Sequence, residues 1–188
     1  MWKTAVIILF LITLSGCGVG RRAYLWSTHG VVRNRTDAML PNIKAGDYLV
    51  IDREYFSSKP VERFDLVVIK HPGGGGLGER KNPDGTDLHV VKRVIAIGGE
   101  TVEIRSGKVF VNGRELKQPF EIIPDEEADE FGPYTFPAGE YFLLGDNRPN
   151  SEDSRYYDRH SVDKSYIVAK VSKRSTARRV ARPAPFSA

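Results

Sequence analysis

Lys92 is the residue whose surroundings most suit it to chemistry. It stands in the run His89-Val90-Val91-Lys92-Arg93-Val94-Ile95. In an extended chain alternate side chains share a face, so Lys92 is expected beside Val90, Val94 and Ala96. Apolar neighbours desolvate an amine, disfavour its charged form and lower its pKa toward neutrality. A neutral lysine is what general-base chemistry requires. Taken alone, the pattern also suits a lysine snorkelling at a sheet margin. Two further segments gather polar groups. One is Thr36-Asp37-Ala38-Met39-Leu40-Pro41-Asn42-Ile43-Lys44-Ala45-Gly46-Asp47. The other is Leu144-Gly145-Asp146-Asn147-Arg148-Pro149-Asn150-Ser151-Glu152-Asp153-Ser154-Arg155. Other chemistries fall away. The glycine-rich run at 72–78 leads into Glu79-Arg80-Lys81, without the Lys-Ser/Thr that opens a phosphate-binding helix. Four histidines (29, 71, 89 and 160) lack ligand spacing, and the single cysteine excludes a multi-cysteine site, so no metal and no cofactor is expected.

The elements that must position these residues read as strands. Short β-branched or aromatic runs bounded by turn residues cover 47–51, 64–70, 89–97, 101–104, 108–111, 140–144 and 166–171. Val102/Ile104 and Val109/Val111 alternate around Arg105-Ser106-Gly107-Lys108, a hairpin signal. Beyond residue 25 no helical period stands out. Residues 72–86, the acidic stretch 120–137 and the tail after Lys173 read as loops. The expected architecture is mainly antiparallel β with long loops.

Charge is unevenly placed. The chain has 28 basic and 24 acidic residues among 188, a net +4. Seven of the basic residues and no acid lie in 164–188, which leaves residues 1–163 at −3. The basic character therefore belongs to a tail, and a nucleic-acid partner loses most of its support. With 40% hydrophobic residues and nine Phe, eight Tyr and two Trp, the composition fits one globular domain.

The N-terminus reads as a targeting segment. Lys3 precedes an apolar run from Ala5 to Leu14, short for a membrane span and close to a signal-peptide core. Leu14-Ser15-Gly16-Cys17 resembles a bacterial lipobox, in which the chain is cut before the cysteine and the cysteine is lipidated. The other reading is a short uncleaved anchor. Either leaves the remainder membrane-attached on the extracytoplasmic face. The domains are then 1–17 as the segment, 18–173 as a β domain, and 174–188 as a basic disordered tail.

The three chemical segments, in this order and spacing, resemble the bacterial type I signal peptidases, the Ser/Lys serine endopeptidases of the S26 family. The third fills the family's G-D-N-R-x-x-S-x-D-S-R pattern at every defined position, and the resemblance spans about residues 30–173. It implies a signal peptidase I-like β fold and exported precursor polypeptides, with their signal peptides, as partners. It implies that Lys92 is the general base and that Ser151 orients its amine. It also implies an oxyanion-hole hydroxyl on Thr36, and a brace from Arg93, Asp146, Arg148, Asp153 and Arg155, with Gly145, Asn147 and Ser154 in the same segment. Met39 and Pro41 frame the nucleophile turn, and Gly46-Asp47 resembles the turn into the next strand.

The departure is at the centre of the mechanism. The family's S-M-x-P falls on Ala38-Met39-Leu40-Pro41, so alanine stands where the nucleophilic serine belongs. Ala38 has no oxygen with which to attack a carbonyl, which closes the acyl-enzyme route. If the stretch is extended, Thr36 shares a face with position 38 and Asp37 points away. Met1, the targeting segment and the tail favour natural loss of the serine over an engineered exchange. Three functions follow: an S26 endopeptidase by descent, a pseudoenzyme that binds extended exported polypeptides by β-augmentation, or a lipoprotein with a purely structural role. The expectation is a signal peptidase I-type chain that does not cleave as written.

Overall fold

The computed structural model describes residues 29–74, 80–125 and 130–175. Cys17, its apolar run and most of the basic tail lie outside these residues. Among the described residues, eleven strands form two antiparallel sheets. The larger sheet holds β1 (His29–Arg33), β2 (Tyr48–Asp52), β3 (Leu66–Lys70), β4 (His89–Ile97), β9 (Glu140–Leu144), β10 (Val162–Asp163) and β11 (Ile167–Ser175), in the order β1-β2-β11-β3-β4-β9-β10. The smaller holds β5 (Thr101–Arg105), β6 (Lys108–Val111), β7 (Arg114–Glu115) and β8 (Phe131–Thr135), in the order β7-β6-β5-β8. A one-turn helix, α1 (Tyr55–Ser58), links β2 to β3.

β4 is the spine of the molecule, and its sequence explains why. From Val91 to Ala96 every residue is buried, so the strand lies inside the protein on both faces. Such a strand reads as a continuous apolar run rather than an alternating one. Val90 and Val94 pack with Val67, Ile69, Leu143 and Tyr157 in one core, while Val91 joins Met39, Leu49 and Val68 in another. The pairing with β9 shifts register between Val94 and Ala96. This bulge sends both Ile95 and Ala96 into a third core, with Val102, Ile104, Phe136 and Phe142 of the smaller-sheet side. The expected shared face of Lys92 therefore holds for Val90 and Val94, but Ala96 leaves it.

Four strands escaped the sequence reading: β1, β7, β8 and β10. β8 lies within the stretch read as a loop, because Gly132-Pro133 looks like a breaker. Proline is tolerated here because β8 is an edge strand that pairs only with β5. Gly132 is required: its φ is +80°, and a Cβ would sit 2.4 Å from the Val102 carbonyl oxygen. β11 continues to Ser175, pairing Arg174 with Leu49 and Ser175 with Tyr48. The sheet therefore takes up the first two residues of the segment read as a disordered tail.

Candidate active site

The buried amine comes first. Lys92 is 3% exposed, and its Nζ donates a 2.9 Å hydrogen bond to Ser151 Oγ. Burial pushes its pKa below the ordinary lysine value, against the opposing pull of Asp153 and Glu152. A hydroxyl can accept from the neutral amine as well as from the ammonium, so the pair does not force protonation.

Ser151 is held by a loop that closes on itself. Arg148–Asn150 form a short 3₁₀ turn, and Arg148 Nε donates to the Gly145 carbonyl at 3.0 Å. Asp153 takes Arg155 as a fork, with Nε at 2.8 Å and Nη2 at 3.0 Å, and also accepts the Gly145 N–H at 3.0 Å. Arg155 Nη2 reaches back to the Arg148 carbonyl at 2.7 Å. Leu143 N–H donates to Ser154 Oγ at 2.9 Å, which fastens the loop's far end to β9. Ser151, Asp153, Ser154 and Arg155 are all buried.

The segment around Ala38 is a turn. Leu40 N–H donates to the Asp37 carbonyl at 3.1 Å, and Ile43 N–H to the Met39 carbonyl at 2.8 Å. The extended geometry expected between Thr36 and Ala38 therefore stops at Asp37. Asp37 turns back on its own loop and accepts the Ala45 N–H at 2.9 Å. Met39 is fully buried, Ala38 is buried, and Thr36 is exposed beside them. Gly46 has a φ of +93°, the left-handed geometry that lets the chain turn into β2. Asp47 accepts the Lys44 N–H at 3.0 Å.

Asp146 joins this turn to the lysine strand. Arg93 forks onto it, Nε to Oδ1 at 2.8 Å and Nη2 to Oδ2 at 2.6 Å, and Asn42 Nδ2 donates to Oδ2 at 2.9 Å. Asn147 donates its side-chain N–H to the Asp37 carbonyl at 3.0 Å and its backbone N–H to the Ala38 carbonyl at 3.1 Å. Gly145 lies between the two halves. A Cβ there would stand 2.2 Å from Ser151 Oγ and 2.6 Å from the Ala38 carbonyl oxygen. Gly145→Ala is therefore expected to destabilise the fold by about 1–3 kcal/mol, the usual cost of overpacking. Chemical denaturation read by tyrosine and tryptophan fluorescence checks it; an unchanged midpoint would refute the close packing.

Lys92, Ser151, Ala38 and the Asp–Arg pairs thus come together from three separate parts of the chain. Three participants were missed by the sequence reading. Asn42 and Asn34 pin the turn, the latter donating to the Thr36 carbonyl at 2.7 Å and the Lys44 carbonyl at 3.0 Å. His71 is 4% exposed and stacks edge-on against Tyr157 at 5.4 Å. Desolvation lowers its pKa most, with Glu152 opposing and Arg80 and Lys92 adding to the fall. An asparagine or a lone histidine in a loop carries no spacing signal that would have marked these residues.

Next to the site, along the residues that precede Ala38 and Lys92, runs a cleft of about 380 Å³. One wall is the end of β1 and residues 34–36, and the other is the start of β4, with Val68 between them. β1 pairs only with β2, and β4 over His89–Lys92 pairs only with β3. Two strand edges free of sheet partners among the described residues therefore border the cleft beside Ala38 and Lys92. Among these residues no His/Cys/Asp/Glu cluster is suited to a metal ion, and no helix is long and apolar enough to cross a membrane.

The profile of the signal peptidase, peptidase S26 family matches residues 1–175. The chain is 31% identical over 162 residues to the signal peptidase I of Bacillus amyloliquefaciens, covering 82% of this chain and 74% of that one. It is 29% identical over 162 residues to signal peptidase I T of Bacillus subtilis, with the same coverages of 82% and 74%. A crystal structure of a signal peptidase I from Enterococcus faecalis aligns with 28% identity and a TM-score of 0.45, over 61% of this chain and 98% of that chain. With the profile spanning most of the sequence, the chain belongs to the S26 signal peptidase family.

Proposed function

We propose that this chain receives exported precursor polypeptides in the manner of a signal peptidase I, but holds them without cutting. The observation that carries this reading is the buried Lys92 amine, 2.9 Å from Ser151 Oγ, in a chain whose neighbouring turn offers Ala38 instead of serine. The roles follow the family. Lys92 is the general base, Ser151 orients its amine, and Thr36 carries the oxyanion-hole hydroxyl. Arg93–Asp146 and Asp153–Arg155 hold the two halves of the site in register. Asn147, Arg148, Gly145 and Ser154 complete that brace, and Met39, Pro41, Gly46 and Asp47 shape the turn.

In the family's reaction the lysine takes the proton of the serine hydroxyl as its oxygen attacks the scissile carbonyl. Here Lys92 has no hydroxyl at position 38 to deprotonate, and no acyl intermediate forms. Binding does not need that step. An extended polypeptide laid between two strand edges gains main-chain hydrogen bonds from both, and side-chain pockets provide specificity. The test uses the full-length chain in neutral detergent with a precursor whose signal peptide ends in small residues. The expected result is saturable binding with no cleavage. Turnover that disappears in Lys92→Ala would overturn the non-catalytic reading and make Thr36 the first candidate nucleophile.

The same proposal attaches the protein to the extracytoplasmic face of a membrane through Cys17, lipidated after removal of residues 1–16. Mass spectrometry of the membrane-extracted protein is expected to show that truncation with added acyl mass. An intact Met1 and an unmodified thiol would favour a simple N-terminal anchor.

A further inference from the structure

We propose that the cleft beside Ala38 selects polypeptides carrying acidic side chains a few residues away from the small residue that meets Ala38. This inference rests on the polypeptide-binding reading above and names the class of ligand it takes. It begins with the segment that leaves β1 and forms one wall. Asn34 points inward, where its side chain is engaged by the Thr36 and Lys44 carbonyls. The residues on either side of it, Arg33 and Arg35, are both exposed and line the cleft.

Neither guanidinium makes a hydrogen bond or an ion pair with another described residue. Arg35 lies within electrostatic reach of Asp84, whose carboxylate is already taken by the Thr86 hydroxyl and N–H. No aspartate or glutamate lines the cleft. This basic wall is not a sample of the general surface, because residues 1–163 carry a net −3. Several cations elsewhere are matched: Lys70 with Asp87, Arg80 with Glu152 and Lys170 with Asp65. The floor, from Val68 and Val91, is apolar and buried.

A strand added to an edge sets its side chains opposite those of its neighbour, where opposite charges attract and like charges repel. Arg35 and Arg33 lie three and five residues from Ala38. Acids at about these separations from the small residue would meet the two guanidinium groups.

The test is fluorescence anisotropy with the full-length chain in neutral detergent. The probes are 12-residue labelled peptides with one central alanine and either Glu, Gln or Lys three and five residues to one side of it. One series places these residues on the N-terminal side and the other on the C-terminal side. The Glu peptide of one series is expected to bind roughly tenfold more tightly than its Gln partner, the scale of two cross-strand charge pairs. The Lys peptide should bind more weakly still. The Glu advantage should shrink at 1 M salt, where screening acts over about 3 Å. Glu and Gln peptides should bind Arg33→Gln/Arg35→Gln alike. If Glu and Gln peptides bind the parent equally in both series, or Lys is preferred, acidic selection is wrong while polypeptide binding stands. If no peptide binds in either series, the polypeptide-binding reading fails with it.

Discussion

Ala38→Ser is expected to turn this chain into an endopeptidase. A Ser/Lys mechanism needs a nucleophile, a neutral amine within hydrogen-bond reach, and donors for the developing oxyanion. The amine is in place: Lys92 is buried, depressed in pKa and fixed on Ser151 at 2.9 Å. For the donors, the proposed reading assigns the backbone N–H of residue 38 and the Thr36 hydroxyl. The turn that would carry the serine is anchored through Asn147 and Asn42. Loss of the nucleophile in a serine protease costs on the order of 10⁶-fold in turnover, so restoring it should lift cleavage from background by a comparable factor. The assay is cleavage of exported precursors followed by mass spectrometry, with cuts expected between small side chains. Activity should vanish in Ala38→Ser/Lys92→Ala. It should fall by about 10²–10³-fold on adding Thr36→Val, the usual cost of losing one oxyanion donor. A folded Ala38→Ser protein inert toward several precursors would mean that the site has decayed beyond position 38.

Asp146→Ala should produce the largest loss of stability. The Asp146 side chain is 1% exposed and accepts both arms of Arg93, itself 9% exposed, as well as Asn42. Removing it leaves a guanidinium buried without its counter-ion, which typically costs about 3–5 kcal/mol. The Phe120 ring, 3.8 Å from the Arg93 guanidinium carbon, supplies only a partial substitute. Denaturant unfolding measures the loss. Arg93→Met/Asp146→Leu is expected to recover much of it, because replacing both charges leaves none unpaired. A single variant as stable as the parent would show that Asp146 does not join the turn to the lysine strand in the way described.

The parts of the fold visible in the sequence are those where side chains repeat. The runs 89–97, 108–111 and 140–144 coincide with strands β4, β6 and β9, because each is a β-branched or aromatic run between turns. β8 was hidden by Gly132-Pro133, whose tolerance depends on lying at a sheet edge, a tertiary fact. β1, His29-Gly30-Val31-Val32-Arg33, offers only two adjacent β-branched residues beside a glycine, too few to mark a strand. Neither does sequence alternation reveal that β4 bulges after Val94 and moves Ala96 to another core. At the site, the segment from Gly145 to Arg155 was legible through its resemblance to the family's G-D-N-R-x-x-S-x-D-S-R pattern, carried on one continuous stretch of chain. Asn34, Asn42 and His71 were not, since each works through contacts formed only when distant segments meet. The extended reading of 36–38 failed for a local reason: the backbone closes into a turn at Asp37.

The charge of Lys92 tests its proposed general-base role most directly. Burial lowers its folded pKa below the ordinary lysine value of 10.5. Between the two values the unfolded chain binds the extra proton, so this residue makes stability rise with pH across that window and lowers it as pH falls. The measurement is a ¹³C NMR titration of the lysine Cε signals in the detergent-solubilised full-length chain, with Lys92 assigned by its loss in Lys92→Met. One lysine is expected to titrate below the rest. A Lys92 signal that titrates together with the surface lysines would contradict it.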